Sequence, residues 1–223
     1  MARVVCVHGV GQQREAAETL HGVWAPAVCG GVGLADGRLA EAEVRCAFYG
    51  DLFRPPGRQL AVGDPLIRAE DLNQFERELL VNEVVGEDTR VLVGHSLGSV
   101  VAYEAMSANP GWPVRMLVTL GSPLGIPNLI FDRLEPAPLP AADARPGPRG
   151  RWPGKAREWV NVADQGDVVA LVKDLRVAFG PGVDCWVVDN GATAHDARPY
   201  LTAVETGRAI WKGVDSGSGI GTD

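Results

Sequence analysis

The stretch GHSLG (94–98) places one serine between two glycines. An apolar, strand-like run precedes it, and an apolar, helix-like run (99–108) follows it. A sharp turn between a strand and a helix pushes the central side chain out of the sheet, and small residues two positions away on each side let the two elements approach. A serine presented in this way can act as a nucleophile. We therefore interpret Ser96 as a candidate nucleophile in a turn formed by Gly94 and Gly98. The alternative is a serine that only caps the helix.

A nucleophilic serine needs a base that accepts its proton and returns it to the leaving group. Histidine is the usual base, and in a strand–turn–helix arrangement of this kind it follows the serine in the chain. The chain has four histidines, and only His195 lies after Ser96, just past the last predicted strand. His195 is therefore the candidate base. We interpret His8, which precedes the serine, as a structural residue.

The base in turn needs a carboxylate, which orients the imidazole and stabilises its cation. The segment WVNVADQGDVVA (159–170) offers Asp164 and Asp167. Asp164 comes directly after a predicted strand, and Asp167 follows a further turn. We favour Asp167 as the candidate acid, and Asp164 remains the alternative.

An attacked carbonyl needs backbone N–H groups that stabilise its developing negative charge. The residue after the nucleophile, Leu97, supplies one donor, and the loop VHGVGQQ (7–13) after the first predicted strand can supply the second. In that loop Gly9 and Gly11 let the backbone turn its amides inward, and Val10 is the candidate donor. The loop lacks the Lys-Ser/Thr ending of a Walker A motif and the spacing of GxGxxG, so a phosphate site is not favoured.

These candidate residues are positioned by strands and helices, which the sequence predicts as short apolar runs alternating with segments of helical periodicity. Strands are predicted at 3–9, 42–50, 90–96, 113–123, 158–164 and 182–190. Helices are predicted at 15–28, 68–85, 99–108 and 195–211. Nearly continuous apolar strands separated by helices indicate a parallel sheet covered on both faces. We expect an α/β fold, a three-layer α/β/α sandwich with a mainly parallel central sheet.

The chain of 223 residues suits one α/β domain, which we place at 1–211. A proline-rich segment (123–157) interrupts the alternation of strands and helices. It is predicted to be a lid or insertion, because loops of this length in compact domains are usually functional or disordered. Its stretch PNLIFDRL (127–134) is either a helical turn packed on the core or an apolar flap over the site. The glycine- and serine-rich end (212–223) is predicted to be a flexible tail.

Composition and charge narrow the classes of function. The formal net charge of -7 leaves no electrostatic footprint for nucleic acid. No run approaches the ~20 apolar residues that span a bilayer. The opening residues enter a predicted strand with no basic segment before a long apolar run, so we do not expect a signal peptide. The four cysteines form no CxxC pair, so we expect neither a metal site nor a redox motif. We expect a cytoplasmic protein with reduced thiols; nothing in the sequence sets its oligomeric state.

Four segments, in order, resemble the α/β-hydrolase superfamily and its small lipase- and esterase-like members. VHGVGQ resembles their oxyanion loop, and GHSLG resembles their nucleophile elbow. NVADQGDVV resembles their acid segment, often N-x-x-D-x-x-D-P-V, with Asp167 at the acid position and Val168 in place of proline. AHDARPYL resembles their histidine segment. The resemblance covers about residues 3–211 and implies a serine hydrolase that needs no metal or organic cofactor.

The expected function is hydrolysis of a small-molecule or lipid-like acyl ester through Ser96, His195 and Asp167, with an acyl-enzyme intermediate. One alternative is an acyltransferase or thioesterase of a biosynthetic pathway, which would use the same acyl-enzyme. The other is a hydrolase-shaped interaction module without turnover, which would have no need of all three residues.

Overall fold

A computed structural model describes residues 2–9, 16–48, 84–140, 147 and 149–215. The strands are β1 (Val4–Val7), β2 (Val44–Ala47), β3 (Val91–His95), β4 (Met116–Leu120), β5 (Glu158–Asp164) and β6 (Val183–Val188). The α-helices are α1 (Ala17–Leu34), α2 (Leu97–Ala108), α3 (Arg176–Phe179), α4 (Ala197–Thr202) and α5 (Val204–Asp215). Short 3-10 turns lie at Glu41–Glu43, Phe131–Arg133 and Gly191–Thr193.

The six strands form one sheet in the order β2-β1-β3-β4-β5-β6, and every pair of neighbours is parallel. Because all strands run the same way, the segments that follow them gather at one carboxyl edge. The predicted α/β fold with a mainly parallel sheet is confirmed. In an open sheet of this kind, that edge is where ligands bind.

Strand side chains alternate between two apolar layers, as the period of two requires. In β1, Val5 and Val7 face one layer, while Val4 and Cys6 face the other. Both faces are buried, which is why the sequence of each central strand is almost continuously apolar.

Different elements cover the two faces of the sheet. Helix α2 packs on one face, where Tyr103, Trp159 and Phe179 form an aromatic cluster with ring centroids 4.7–5.7 Å apart. Helices α1, α4 and α5 pack on the other face, around the buried Trp24 and Ile210. The turn that carries Ser96 is thus held between a buried strand and a buried helix.

Two predicted helix boundaries were wrong. Helix α1 continues to Leu34 rather than ending at 28, because Val28 and Val32 extend its buried face. The closing helix predicted at 195–211 is two helices, because Ala203 has extended backbone angles (φ -58°, ψ 139°).

The last helix also extends further than expected. Helix α5 runs to Asp215, so residues 212–215, predicted as tail, are helical. Val214 is buried and its carbonyl oxygen accepts a hydrogen bond from Arg3, which holds this end against the sheet. Residues 216–223 lie outside the described residues, as does the predicted helix 68–85 except for its last two residues.

Part of the proline-rich segment 123–157 packs on the core. Phe131 and Leu134 are buried, and the Phe131 ring lies 5.5 Å from that of Phe179 in a T-shaped contact. Leu129, in contrast, is exposed. These positions favour the packed-turn interpretation for Phe131 and Leu134, while a lid function for the segment stays a prediction.

Candidate active site

Ser96 lies in the turn between β3 and α2 with φ 56° and ψ -133°, a conformation that is strained for a residue with a side chain. The flanking glycines make this turn possible. A Cβ at Gly98 would lie 2.3 Å from the carbonyl oxygen of Val7, and a Cβ at Gly94 would lie 2.5 Å from the Cα of Ser99. The chain therefore needs glycine at both positions for β1, β3 and α2 to come this close.

The structure brings three of the predicted site residues into one hydrogen-bonded line. His195 Nε2 lies 3.0 Å from Ser96 Oγ, and His195 Nδ1 lies 2.7 Å from Asp167 Oδ2. A carboxylate accepts only, so Nδ1 carries the proton and Nε2 is left to accept from the serine hydroxyl. This is the tautomer that a general base needs.

Asp167 is buried, and every acceptor direction of its carboxylate is used. Oδ1 accepts from the backbone N–H of Val169 at 2.8 Å and of Ala170 at 3.3 Å. Oδ2 accepts from His195 and from the Tyr200 hydroxyl, the latter at 2.8 Å. Burial alone would raise the pKa of Asp167, but the hydrogen bonds from His195, Tyr200 and Val169 outweigh it and hold this pKa below its usual value. The carboxyl is therefore ionised at neutral pH.

Asp164, the alternative acid, is not hydrogen-bonded to His195. Its carboxylate accepts from the backbone N–H of Gly166 at 2.6 Å and from the backbone N–H of Asn190. The first bond closes the turn after β5, and the second joins the end of β5 to the segment after β6. Asp164 thus connects the segments that carry Asp167 and His195.

The predicted oxyanion residues are only partly described. Leu97 is the first residue of α2, where backbone N–H groups have no carbonyl partner within the helix. Gly9 lies against Ser96, since a Cβ there would be 2.6 Å from Ser96 Cβ and 3.1 Å from Ser96 Oγ. Val10 and Gly11 lie outside the described residues, so the second donor stays a prediction.

Two histidines beside the site are buried and serve as structural contacts. His8 Nδ1 donates to the carbonyl oxygen of Gly9 at 2.9 Å, as expected for a residue that braces this loop. His95 Nε2 donates to the carbonyl oxygen of His195 at 3.1 Å. Burial is the main cause that lowers the pKa of each of these imidazoles from 6.5 to about 4. Both are therefore neutral at pH 7.

These lowered pKa values predict a loss of stability in mild acid. Between pH 6.5 and about 4 the unfolded chain binds protons at His8 and His95 that the folded chain does not, so the free energy of unfolding falls as the pH is lowered through this window. The loss is up to about 3 kcal/mol for each histidine. Urea unfolding at pH 7.5, 6 and 5 measures it. A His95→Gln variant should show a shallower dependence; equal slopes in both proteins would contradict the assignment.

Two residues that contact the hydrogen-bonded Ser96–His195–Asp167 group were not predicted from the sequence. Tyr200 reaches Asp167 from helix α4, and Gly121, which follows β4, has φ 53°. A Cβ at Gly121 would lie 2.8 Å from Asp167 Oδ2 and 3.3 Å from His195 Nδ1. Neither residue belongs to a sequence pattern that predicts this contact. Tyr200 lies within AHDARPYL, but a tyrosine there does not by itself indicate a hydrogen bond to Asp167.

We expect Gly121→Ala to lower kcat by about tenfold to a hundredfold, because the new methyl group would displace the carboxylate from His195. The substitution should also lower the free energy of unfolding by about 1–3 kcal/mol through crowding and the positive φ. Gly191→Ala is the matched control, since Gly191 has φ 63° with nothing within 4 Å of its Cβ position. Equal losses of kcat in the two variants would show that backbone strain, not contact with the carboxylate, is responsible.

Among the residues that the structure describes, no group of three or more His, Cys, Asp or Glu side chains could hold a metal ion. Over the same part of the chain, none of the helices is both long enough and apolar enough to span a membrane.

The model of the alpha/beta hydrolase family matches residues 4–215, and the chain belongs to that family. A search of curated proteins found no match.

Solved structures give more distant similarities. The chain is similar to a dienelactone hydrolase from Anabaena variabilis (13% identity, 95% of this chain and 85% of the other, TM-score 0.49). It is similar to an esterase from Pyrobaculum calidifontis (15%, 98% and 77%, TM-score 0.47) and to a thioesterase domain from the curacin biosynthetic pathway (15%, 91% and 89%, TM-score 0.45). Similarity at this level does not identify a substrate.

Proposed function

We propose that this hydrolase cleaves carboxylic esters, with Ser96 as nucleophile, His195 as general base and acid, and Asp167 as the carboxylate that orients His195. The observation that carries the proposal is the unbroken line from Ser96 Oγ through His195 to Asp167 Oδ2, at 3.0 and 2.7 Å. The direction of these hydrogen bonds supports base catalysis, because the in-plane lone pair of His195, on Nε2, points at the serine hydroxyl.

In the first step Ser96 Oγ forms a bond to the acyl carbon while its proton moves to His195 Nε2. The carbonyl oxygen becomes an oxyanion next to the N-terminus of α2, where the N–H of Leu97 favours negative charge, with Val10 as the proposed second donor. His195 then protonates the leaving alcohol as the ester C–O bond breaks. Asp167 stabilises the imidazolium throughout.

In the second step water attacks the acyl-enzyme. His195 takes a proton from the water, the tetrahedral intermediate collapses, and the proton passes to Ser96 Oγ as the acid leaves. Nothing is oxidised or reduced, and the enzyme returns to its starting state.

Exposed apolar side chains on the loops after β4 and β5, at the carboxyl edge of the sheet, support an apolar acyl group. Val168, directly after Asp167, is 77% exposed, and Leu171 is 63% exposed on the same loop. Leu129, 58% exposed, lies on the loop after β4. The two loops are in contact, since a Cβ at Gly125 would lie 2.7 Å from Val172. Exposed apolar side chains in such a place are typical of ligand-binding surfaces.

Steady-state turnover of p-nitrophenyl acetate, butyrate and octanoate tests the proposal. We expect saturable release of p-nitrophenol with one equivalent of free carboxylic acid. Adding hydroxylamine or methanol distinguishes hydrolysis from acyl transfer, because a transferase would divert most of the acyl group to the added nucleophile. Absence of turnover of all three esters and of the matching thioesters, by folded protein, would overturn the proposal.

A further inference from the structure

A tyrosine reaches the Asp167–His195 pair from helix α4. Tyr200 is fully buried in the layer formed by α1, α4 and α5. Its hydroxyl contacts the last residue of β5 and the loop that follows: it lies 2.6 Å from the backbone nitrogen of Asp164 and 2.8 Å from Oδ2 of Asp167. It therefore meets the same carboxylate oxygen that His195 uses.

The direction of each of these hydrogen bonds follows from the groups involved. A backbone N–H can only donate, so the Tyr200 oxygen accepts from Asp164. An ionised carboxylate can only accept, so the single hydroxyl proton is donated to Asp167. Burial is the main cause that raises the pKa of Tyr200 far above its usual value, which keeps that proton on the phenol. If the Tyr200 hydroxyl stopped donating to Asp167, its buried proton would lose the acceptor that it has here.

We propose that Tyr200 is a positioning residue for the reaction: its hydroxyl fixes Oδ2 of Asp167 in line with His195 Nδ1 and shares the negative charge that His195 experiences. This inference rests on the proposed function, because it assigns Tyr200 a role through Asp167 and His195.

The placement of α4 supports this role. The carboxylate of Asp196 caps the helix by accepting from the N–H of Arg198 at 2.9 Å, so the helix begins at Ala197, two residues after His195. Tyr200 then lies five residues after the candidate base, on the next turn. Helix α4 thus follows the candidate base closely in the chain and contacts the candidate acid through Tyr200.

Tyr200→Phe tests the proposal, because it removes the hydroxyl and keeps the buried ring. We expect kcat to fall by about tenfold to a hundredfold with KM changed less than about threefold, since the hydroxyl touches the acid and not the substrate. The acid limb of the kcat/KM profile should move to higher pH, because the charge of Asp167 would no longer be shared with a second donor and would act more strongly on His195. A purely structural role would leave this limb unmoved.

Tyr103→Phe is the matched control. Tyr103 is also a buried tyrosine, and its hydroxyl donates to the carbonyl oxygen of Arg151 at 2.9 Å on the other face of the sheet. We expect a loss of stability comparable with that of Tyr200→Phe, but unchanged kcat and an unchanged pH profile.

A double-mutant comparison separates this inference from the proposed function. In an Asp167→Asn background, Tyr200→Phe should change kcat less than about twofold, because the group it acts through is gone. If Asp167→Asn alone leaves kcat unchanged, the proposed function fails. If Asp167→Asn lowers kcat but Tyr200→Phe does not, or lowers it equally in both backgrounds, only the role of Tyr200 is overturned.

A second variant covers the case in which Tyr200→Phe does not fold. Site-specific 3,5-difluorotyrosine at position 200 keeps the ring and the hydroxyl but makes the hydroxyl a stronger donor. The acid limb should then move to lower pH, opposite to the shift in Tyr200→Phe. An unmoved limb in this folded protein would overturn the proposal.

Discussion

Ser96→Ala should lower kcat for an ester by about 10⁴-fold to 10⁶-fold while the protein stays folded. The substitution removes the one protein atom that forms a bond to the acyl group in the proposed reaction. Ser96 Oγ is hydrogen-bonded to His195 Nε2 at 3.0 Å. Its loss removes this one side-chain contact, so we expect β3, α2 and the His195–Asp167 hydrogen bond to stay in place. The remaining activity would come from binding and from the oxyanion donors.

The fold and the specificity of this effect can be checked together. Urea unfolding should give a free energy within about 1 kcal/mol of the wild type, since a single partly buried hydroxyl is lost. Ser107→Ala is the matched control: Ser107 lies in the same helix, and its hydroxyl donates to the carbonyl oxygen of Tyr103 at 2.8 Å. Folded Ser96→Ala protein with kcat within tenfold of the wild type would contradict the nucleophile assignment.

Asp167→Asn should lower kcat by about 10³-fold to 10⁴-fold. An amide nitrogen at the Oδ2 position would donate toward His195 Nδ1, so Nδ1 would have to give up its proton and accept. The proton would then sit on Nε2, where it prevents His195 from accepting the proton of Ser96. The opposite rotamer would place the amide nitrogen against the N–H groups of Val169 and Ala170, which already donate to Oδ1.

Asp164→Asn resolves the alternative that the sequence leaves open. Among the residues that the structure describes, the Asp164 carboxylate accepts from the backbone N–H groups of Gly166 and Asn190 and not from His195. Its change should therefore lower the free energy of unfolding by about 1–3 kcal/mol and lower kcat less than tenfold. Steady-state kinetics and urea unfolding of both variants provide the comparison. A larger loss of kcat in Asp164→Asn than in Asp167→Asn would make Asp164 the acid.

The residues of the site differ in how far the sequence predicts them. Ser96 lies in a turn whose glycines leave a sequence pattern, because only glycine fits where Gly98 meets the Val7 carbonyl. His195 follows from chain order among few histidines. The sheet follows from short apolar runs, whose hydrophobicity reports burial on both faces.

Other features depend on contacts between distant segments and leave no local pattern. Tyr200 meets Asp167 across 33 positions of sequence, and Gly121 is required because three segments converge on it. The end of α5 at Asp215 follows from packing of Val214, which composition alone assigned to a tail. The choice between Asp164 and Asp167 likewise depends on where the loop after β6 lies.

The most direct test of Ser96 as an activated nucleophile is reaction of the purified protein with a fluorophosphonate, followed by mass-spectrometric mapping of the adduct. An activated serine forms a phosphorus–oxygen bond and releases fluoride, so the measurement needs no knowledge of the substrate. We predict a single adduct on Ser96 that is absent in Ser96→Ala and forms far more slowly in Asp167→Asn. An adduct that persists in Ser96→Ala, or folded wild-type protein that does not react, would contradict the assignment.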